Sequence, residues 1–135
     1  MKSISWIRDR SELGYRITDD LNIKAYKHGT DVRADFVKAE EKKTSCISLI
    51  ITQFVTLFHI NPLILSAIKH KHFYEYDLGE MVKFAFSEYR NKWTVNLRGY
   101  YIDDSGETKP GKWGVHICPT VWLRSVTPKL EKIRE

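Results

Sequence analysis

A chain of 135 residues suits one compact domain or two very small ones. Its 42% hydrophobic and 13% aromatic share excludes global disorder, and a formal charge of +5 with a pI near 9.2 makes a polyanion a reasonable partner. Positive and negative residues are mixed along the chain, so there is no basic tail. Cys46 and Cys118 are far apart and form no CxxC pair; a reduced intracellular protein is the simplest reading, with a single bridge left open. The first residues lack the apolar core of a signal peptide.

In chain order, residues 1–20 are polar and mixed, with Trp6, Ile7, Leu13, Tyr15 and Ile17 available for an edge strand or for covering a core. Leu21–Tyr26 alternates as a short strand, His28-Gly29-Thr30 reads as a tight turn, and Val32–Lys38 as a second strand. Glu40–Lys43 is a charged loop, Cys46–Leu49 a third strand, and Thr52–Phe58 the start of an apolar helix. Pro62 is expected to break or restart that helix before Leu63–Lys69. The apolar run Ile47–Ile68 is about long enough for a membrane span, but Gln53, His59, Asn61 and Pro62 favour a buried core element. His70-Lys71-His72 leads on to Phe73, Tyr74 and Tyr76.

Two alternating strands follow, Glu80–Glu88 and Lys92–Tyr101, joined at Tyr89-Arg90-Asn91. Val82, Phe84 and Phe86 share one face and Lys83, Ala85 and Ser87 the other; Trp93, Val95, Leu97 and Gly99 oppose Thr94, Asn96 and Arg98. The turn-rich Asp103–Gly111 loop leads to a strand over Trp113–Ile117. Pro119 opens a helix whose Val121, Trp122 and Val126 can lie on a sheet.

The ordered parts Tyr89-Arg90-Asn91-Lys92, Arg98-Gly99-Tyr100-Tyr101, Asp104-Ser105-Gly106-Glu107, Lys109-Pro110-Gly111-Lys112, Gly114-Val115-His116-Ile117 and Pro119-Thr120-Val121-Trp122 carry a resemblance. From Gly79 to Trp122 the chain resembles, without a gap, the single-stranded-DNA-binding C-terminal domain of the transcriptional coactivator positive cofactor four. The resemblance implies an α+β fold of curved antiparallel sheets, each followed by a helix, and a homodimeric pair of such units about a two-fold axis.

That second unit has a counterpart within the chain. Asp20–Tyr26 echoes Asp77–Phe86, Thr30–Lys38 echoes Trp93–Tyr101, and Cys46–Leu49 with Thr52–Phe54 echoes Gly114–Ile117 with Thr120–Trp122. The order strand, turn, strand, charged loop, strand, helix occurs twice, which predicts an intramolecular pseudo-dimer of a divergent unit over 1–72 and a coactivator-like unit over 73–135. The alternative is that residues 1–70 cap a unit that dimerises between chains.

Single strands are held by cations on phosphates and by bases stacked on aromatic rings. The resemblance puts stacking at Tyr89 and Tyr101 and phosphate contact at Arg90, Lys92, Arg98, Lys109 and Lys112. Three positions depart from the family: Glu80 and Trp113 stand where it has basic residues, and Tyr101 where it has tryptophan. Trp113 offers a further stacking surface in exchange for a charge, and at Glu80 one phosphate contact is expected to be lost unless Lys83 substitutes for it. In the first half Lys24, Tyr26, Lys27, Arg33, Lys38, Lys42 and Lys43 form a set poorer in aromatics, from which a weaker or altered groove is expected.

Asp103, Asp104 and Glu107 read as a solvated hairpin tip, and neither His116 with Cys118 nor His59, His70 and His72 shows metal-ligand spacing. With no phosphate loop and no nucleophile context, the sequence predicts no catalysis, no cofactor and no metal. The expected function is binding of single-stranded or melted DNA in transcription, with replication or repair as further settings, and with transcription machinery rather than a membrane as partner. A protein-interaction module with little nucleic-acid affinity is the alternative. The expected location is intracellular: the nucleus in a eukaryote, otherwise the cytoplasm or a viral replication site.

Overall fold

The computed structural model describes residues 12–28 and 31–134. Trp6, Ile7 and the Gly29-Thr30 part of the first turn lie outside the described residues. Two four-stranded antiparallel sheets follow one another along the chain. The first orders its strands β1 (Glu12–Arg16), β2 (Leu21–His28), β3 (Asp31–Ala39) and β4 (Thr44–Ile50), and the second β5 (Tyr74–Gly79), β6 (Val82–Tyr89), β7 (Lys92–Ile102) and β8 (Thr108–Ile117). Helix α1 (Ile51–His70) leaves β4; β8 is followed by α2 (Pro119–Val121), a π-helical turn over Trp122–Val126 and α3 (Thr127–Arg134).

The internal repeat is borne out in its order of elements, with the β3 correspondence shifted by two residues so that Lys38 matches Gly99 and not Tyr101. The rung Ile23–Phe36–Ile47 across β2, β3 and β4 matches the rung Phe84–Leu97–Val115 across β6, β7 and β8. Ala25–Ala34–Leu49 likewise matches Phe86–Val95–Ile117. All of these side chains are buried, because period-2 alternation turns each strand's apolar set to one face. The two inner faces and the helices share one continuous core, so the units form an intramolecular pseudo-dimer. Trp122 lies at its centre: its ring is edge-on to Phe84 of its own unit at 5.3 Å and parallel to Phe36 of the other at 6.3 Å.

Four expectations are corrected. Pro62 does not interrupt α1, which runs unbroken from Ile51 to His70. The ring sits on the exposed side, while Ile60, Asn61 and Ile64 beside it are buried, so tertiary packing outweighs the missing N–H. The helix ends instead at Lys71, in the left-handed region at φ 52°, where the His72 N–H donates to Ala67 O. The Asp103–Gly111 loop is shorter than expected, since β8 already begins at Thr108. The second sheet also gains an outer strand, β5, while the edge strand offered by Leu13 and Tyr15 forms as β1. Glu80 and Met81, read as the start of a strand, form the β5–β6 turn at φ 51° and 64°.

By length and composition α1 could cross a membrane. In the fold it packs on β3 and β4 of its own unit and on β5, β6 and α3 of the other. Its buried polar residues are both satisfied across the units. Gln53 accepts from the Ile50 N–H at its own N-terminus and donates to Gly79 O at 2.7 Å, while Asn61 Oδ1 accepts from the Trp122 indole at 2.8 Å.

Candidate nucleic-acid interface

The interface is organised by a bulge. Strands β7 and β8 pair regularly up to Arg98–Gly114 and resume at Tyr100–Pro110. Between those pairs β7 has one residue, Gly99, and β8 has three, Gly111, Lys112 and Trp113. The extra length throws Lys112 and Trp113 off the sheet. Both are exposed, with Lys112 Nζ 5.2 Å from the Trp113 ring centroid.

Arg98 occupies the space beneath the bulge. Its Nη1 donates to Gly111 O at 2.9 Å and its Nη2 lies 3.3 Å from His116 Nε2. A Cβ on Gly114 would stand 2.8 Å from Arg98 Cζ, so the absence of a side chain there lets the guanidinium settle across β8. His116 is held below the ordinary imidazole value, first by burial and then by the Arg98 and Lys38 charges.

Beyond the bulge the β7–β8 arm carries Tyr101 opposite Lys109. Its tip is built on Asp103, whose carboxylate accepts from Lys109 Nζ at 3.0 Å, from the Ser105 hydroxyl and N–H, and from the Glu107 N–H. These bonds, Lys109 first, hold Asp103 at about 2. The acidic tip is therefore an internally satisfied turn, and no metal-binding cluster occurs among the described residues. Lys109 is both exposed and engaged, fixing the arm while presenting its ammonium to solvent.

At the other end of β7, Arg90 and Asn91 form the β6–β7 turn at φ 53° and 63°, as in a type I′ hairpin. A left-handed arginine is strained, and the strained turn holds its Cζ 5.2 Å from the ring centroid of Tyr89, which is 71% exposed. Lys92 pairs with Tyr89 and is also exposed. The sequence-derived residues thus divide into three stations along β7: Tyr89, Arg90 and Lys92 at the turn; Arg98, Lys112 and Trp113 at the bulge; Tyr101 and Lys109 on the arm. Nine strand steps separate Lys92 from Tyr101, about 30 Å. This is a track, not a pocket.

Sequence reasoning missed Tyr100 and His116 as members of this surface. Lys83 Nζ lies 4.9 Å from the Tyr100 ring centroid, so Lys83 steadies a ring here. The signal was the β6–β7 register, which sets Lys83 opposite Arg98.

The described residues of the first unit lack this apparatus. Val37 and Cys46 pair where Arg98 and Gly114 pair in the second. The β3–β4 connection is closed by a Glu40 N–H to Lys43 O bond, so no arm extends there. Among the cations expected on that face, Arg33 is paired with Asp31 at 2.9 Å and Lys38 donates to His116 O at 2.8 Å; the Tyr26 hydroxyl donates to Asp35.

The track, bulge and arm all lie within one segment that comparison with known families picks out. Residues 76–124 match the family Transcriptional Coactivator p15 (PC4). This is the family that the motifs from Tyr89 to Trp122 point to. The matched segment contains β6, β7, β8, the arm and Trp122, and leaves the first sheet and α1 outside it. No solved structure matches the chain. The matched family is one of transcriptional coactivators.

His116 gives this surface a pH signature. The unfolded chain protonates its imidazole near 6.5, before the folded one does. The stability that depends on neutral His116 is therefore complete above that value and is lost as pH falls through the lower folded value. Melting temperatures followed from pH 7.5 to 5.5 should fall more steeply in the wild type than in His116→Gln.

Proposed function

We propose that the protein binds single-stranded or melted DNA along the β7 track of its PC4 domain, in transcription and in related replication or repair settings, without catalysis. The observation that carries this reading is the alternation of exposed rings and cations at the three stations, the pattern that holds bases by stacking and phosphates by charge. Each stacked base contributes about 1–3 kcal/mol and any base can stack, so the track itself tolerates sequence variation. Because the first unit has neither the arm nor the arginine, one chain offers one track. A chain that completes its pseudo-dimer internally is expected to be a monomer of 15.9 kDa.

Fluorescence anisotropy of a labelled strand of about 20 nucleotides, with duplex competitor at two salt concentrations, tests the reading. Salt-sensitive binding, one strand per chain, abolished in Tyr101→Ala/Lys109→Ala, is the expected result. Weak binding untouched by those changes overturns it.

A second reading has its own observation. Ile51, Val55 and Leu63, spaced four and eight apart on α1, are all exposed, Leu63 by 57%. Such a stripe suits a protein partner in a transcription assembly. Failure of the anisotropy test, together with loss of a partner from Leu63→Lys, would favour it.

A further inference from the structure

The two sheets meet where β4 runs beside β8, and this seam is shut on one side and open on the other. Lys38 and Gly99 hold matching places. Lys38 pairs with Leu21 as Gly99 pairs with Val82, and the following N–H groups, of Ala39 and Tyr100, donate to Asp20 O and Met81 O at 2.8 and 2.7 Å. In the first unit the Lys38 side chain crosses the seam and donates to His116 O, leaving a space of about 120 Å³. In the second unit Gly99 has nothing to send across, and a cleft of about 430 Å³ remains.

The residues around this cleft point to one kind of occupant. Its lining includes Ile47, Met81, Tyr100 and Trp113, mostly apolar surface with two flat rings, and a single carboxylate, Glu80. Cations stand over both rings, Lys83 on Tyr100 and Lys112 on Trp113. The volume is that of a small-molecule site, too small for a duplex or a folded partner. Glu80 would repel a phosphate but can accept from the amino group of a base, as carboxylates do from cytosine N4. Thymine has no such group.

We propose that the open seam takes one unpaired, amino-bearing nucleobase, cytosine, adenine or guanine, from the strand that runs along the track. Its flanking phosphates rest near Lys83 and Lys112, and Glu80 reads the amino group. This rests on the single-strand reading above and adds to it a base preference and a second wall, supplied by β4 of the first unit.

The experiment compares dC, dA and dT oligonucleotides of equal length on wild type, Gly99→Leu and Glu80→Gln. A Cβ at Gly99 meets only ordinary contacts, Trp113 O at 3.6 Å and Ile47 Cδ1 at 3.7 Å, so a side chain there enters the cleft without displacing backbone. The expected result is tighter binding of dC and dA than dT, a fall of roughly fivefold to hundredfold for dC in Gly99→Leu, and a levelled preference in Glu80→Gln. A readout that needs no cleft variant is the free thiol of Cys46, which lines the cleft. In a Cys118→Ser background, dC should slow its alkylation more than dT does. Equal affinities unaffected by Gly99→Leu, with unchanged Cys46 alkylation, overturn the seam proposal while leaving the track intact. No binding of any single strand overturns both.

Discussion

Trp122→Ala is expected to destabilise the fold by about 4 kcal/mol or more, lowering the melting temperature by roughly 10–20 °C. The side chain is fully buried and touches aromatic rings of both units, so its loss leaves a cavity at the centre of the shared core. It also removes the donor to Asn61 Oδ1, and an orphaned buried amide oxygen costs about 1–3 kcal/mol. The effect should spread, because Asn61 Nδ2 donates in turn to Thr127 Oγ1, which donates to Trp122 O. Trp122→Phe, which keeps most of the packing but not the N–H, should cost clearly less. Against a total stability of about 5–15 kcal/mol, the alanine variant is close to unfolding the protein. Calorimetry decides: a small loss, or separate melting of two halves, would contradict a single core.

Gly114→Ala is expected to damage fold and function together. The added methyl would lie 2.9 Å from Leu97 O as well as 2.8 Å from Arg98 Cζ. Arg98 can swing aside, but the backbone oxygen cannot, so the β7–β8 ladder must open at this rung, at a cost of about 1–3 kcal/mol. Displacing the guanidinium also removes one phosphate-contacting cation. Single-strand affinity should fall about tenfold, with the salt slope reduced by about 0.7, the value for one phosphate contact. Arg98→Ala should show the same binding loss without the same loss of stability. Equal stability of Gly114→Ala and wild type would show that the rung is looser than the geometry implies.

Much of the second unit was legible from the sequence because its signals are local. Val82, Phe84 and Phe86 alternate cleanly, Pro119 suits a helix start, and the Lys109–Lys112 piece carries a family pattern that survives in order. The outer strand β5 was not legible. Tyr74–Gly79 alternates poorly, with only Leu78 buried. The β5–β6 turn places Glu80 and Met81, neither glycine nor asparagine, in the left-handed region after Gly79. The repeat was visible only as an order of elements, since Val37 and Cys46 stand where Arg98 and Gly114 pair. Contacts joining the units were out of reach, because Lys38 meets His116 and Asn61 meets Trp122 through topology alone. The candidate site residues could be named as a set before their division into stations could be seen. The bulge that exposes Lys112 and Trp113 depends on strand register, which residue types do not reveal.

A lysine latch on one side of the seam and a glycine opening on the other have a consequence for heredity. In a pair of identical chains, one codon writes both sides, so a change that opens one seam opens its mate and a weakening substitution acts twice. Here positions 38 and 99 are written separately. Each half can drift, specialise or lose its groove at the cost of one mutation, and the halves remain together at any dilution because the chain itself joins them. The molecule consequently has a front and a back, and a strand laid along it meets them in a fixed order.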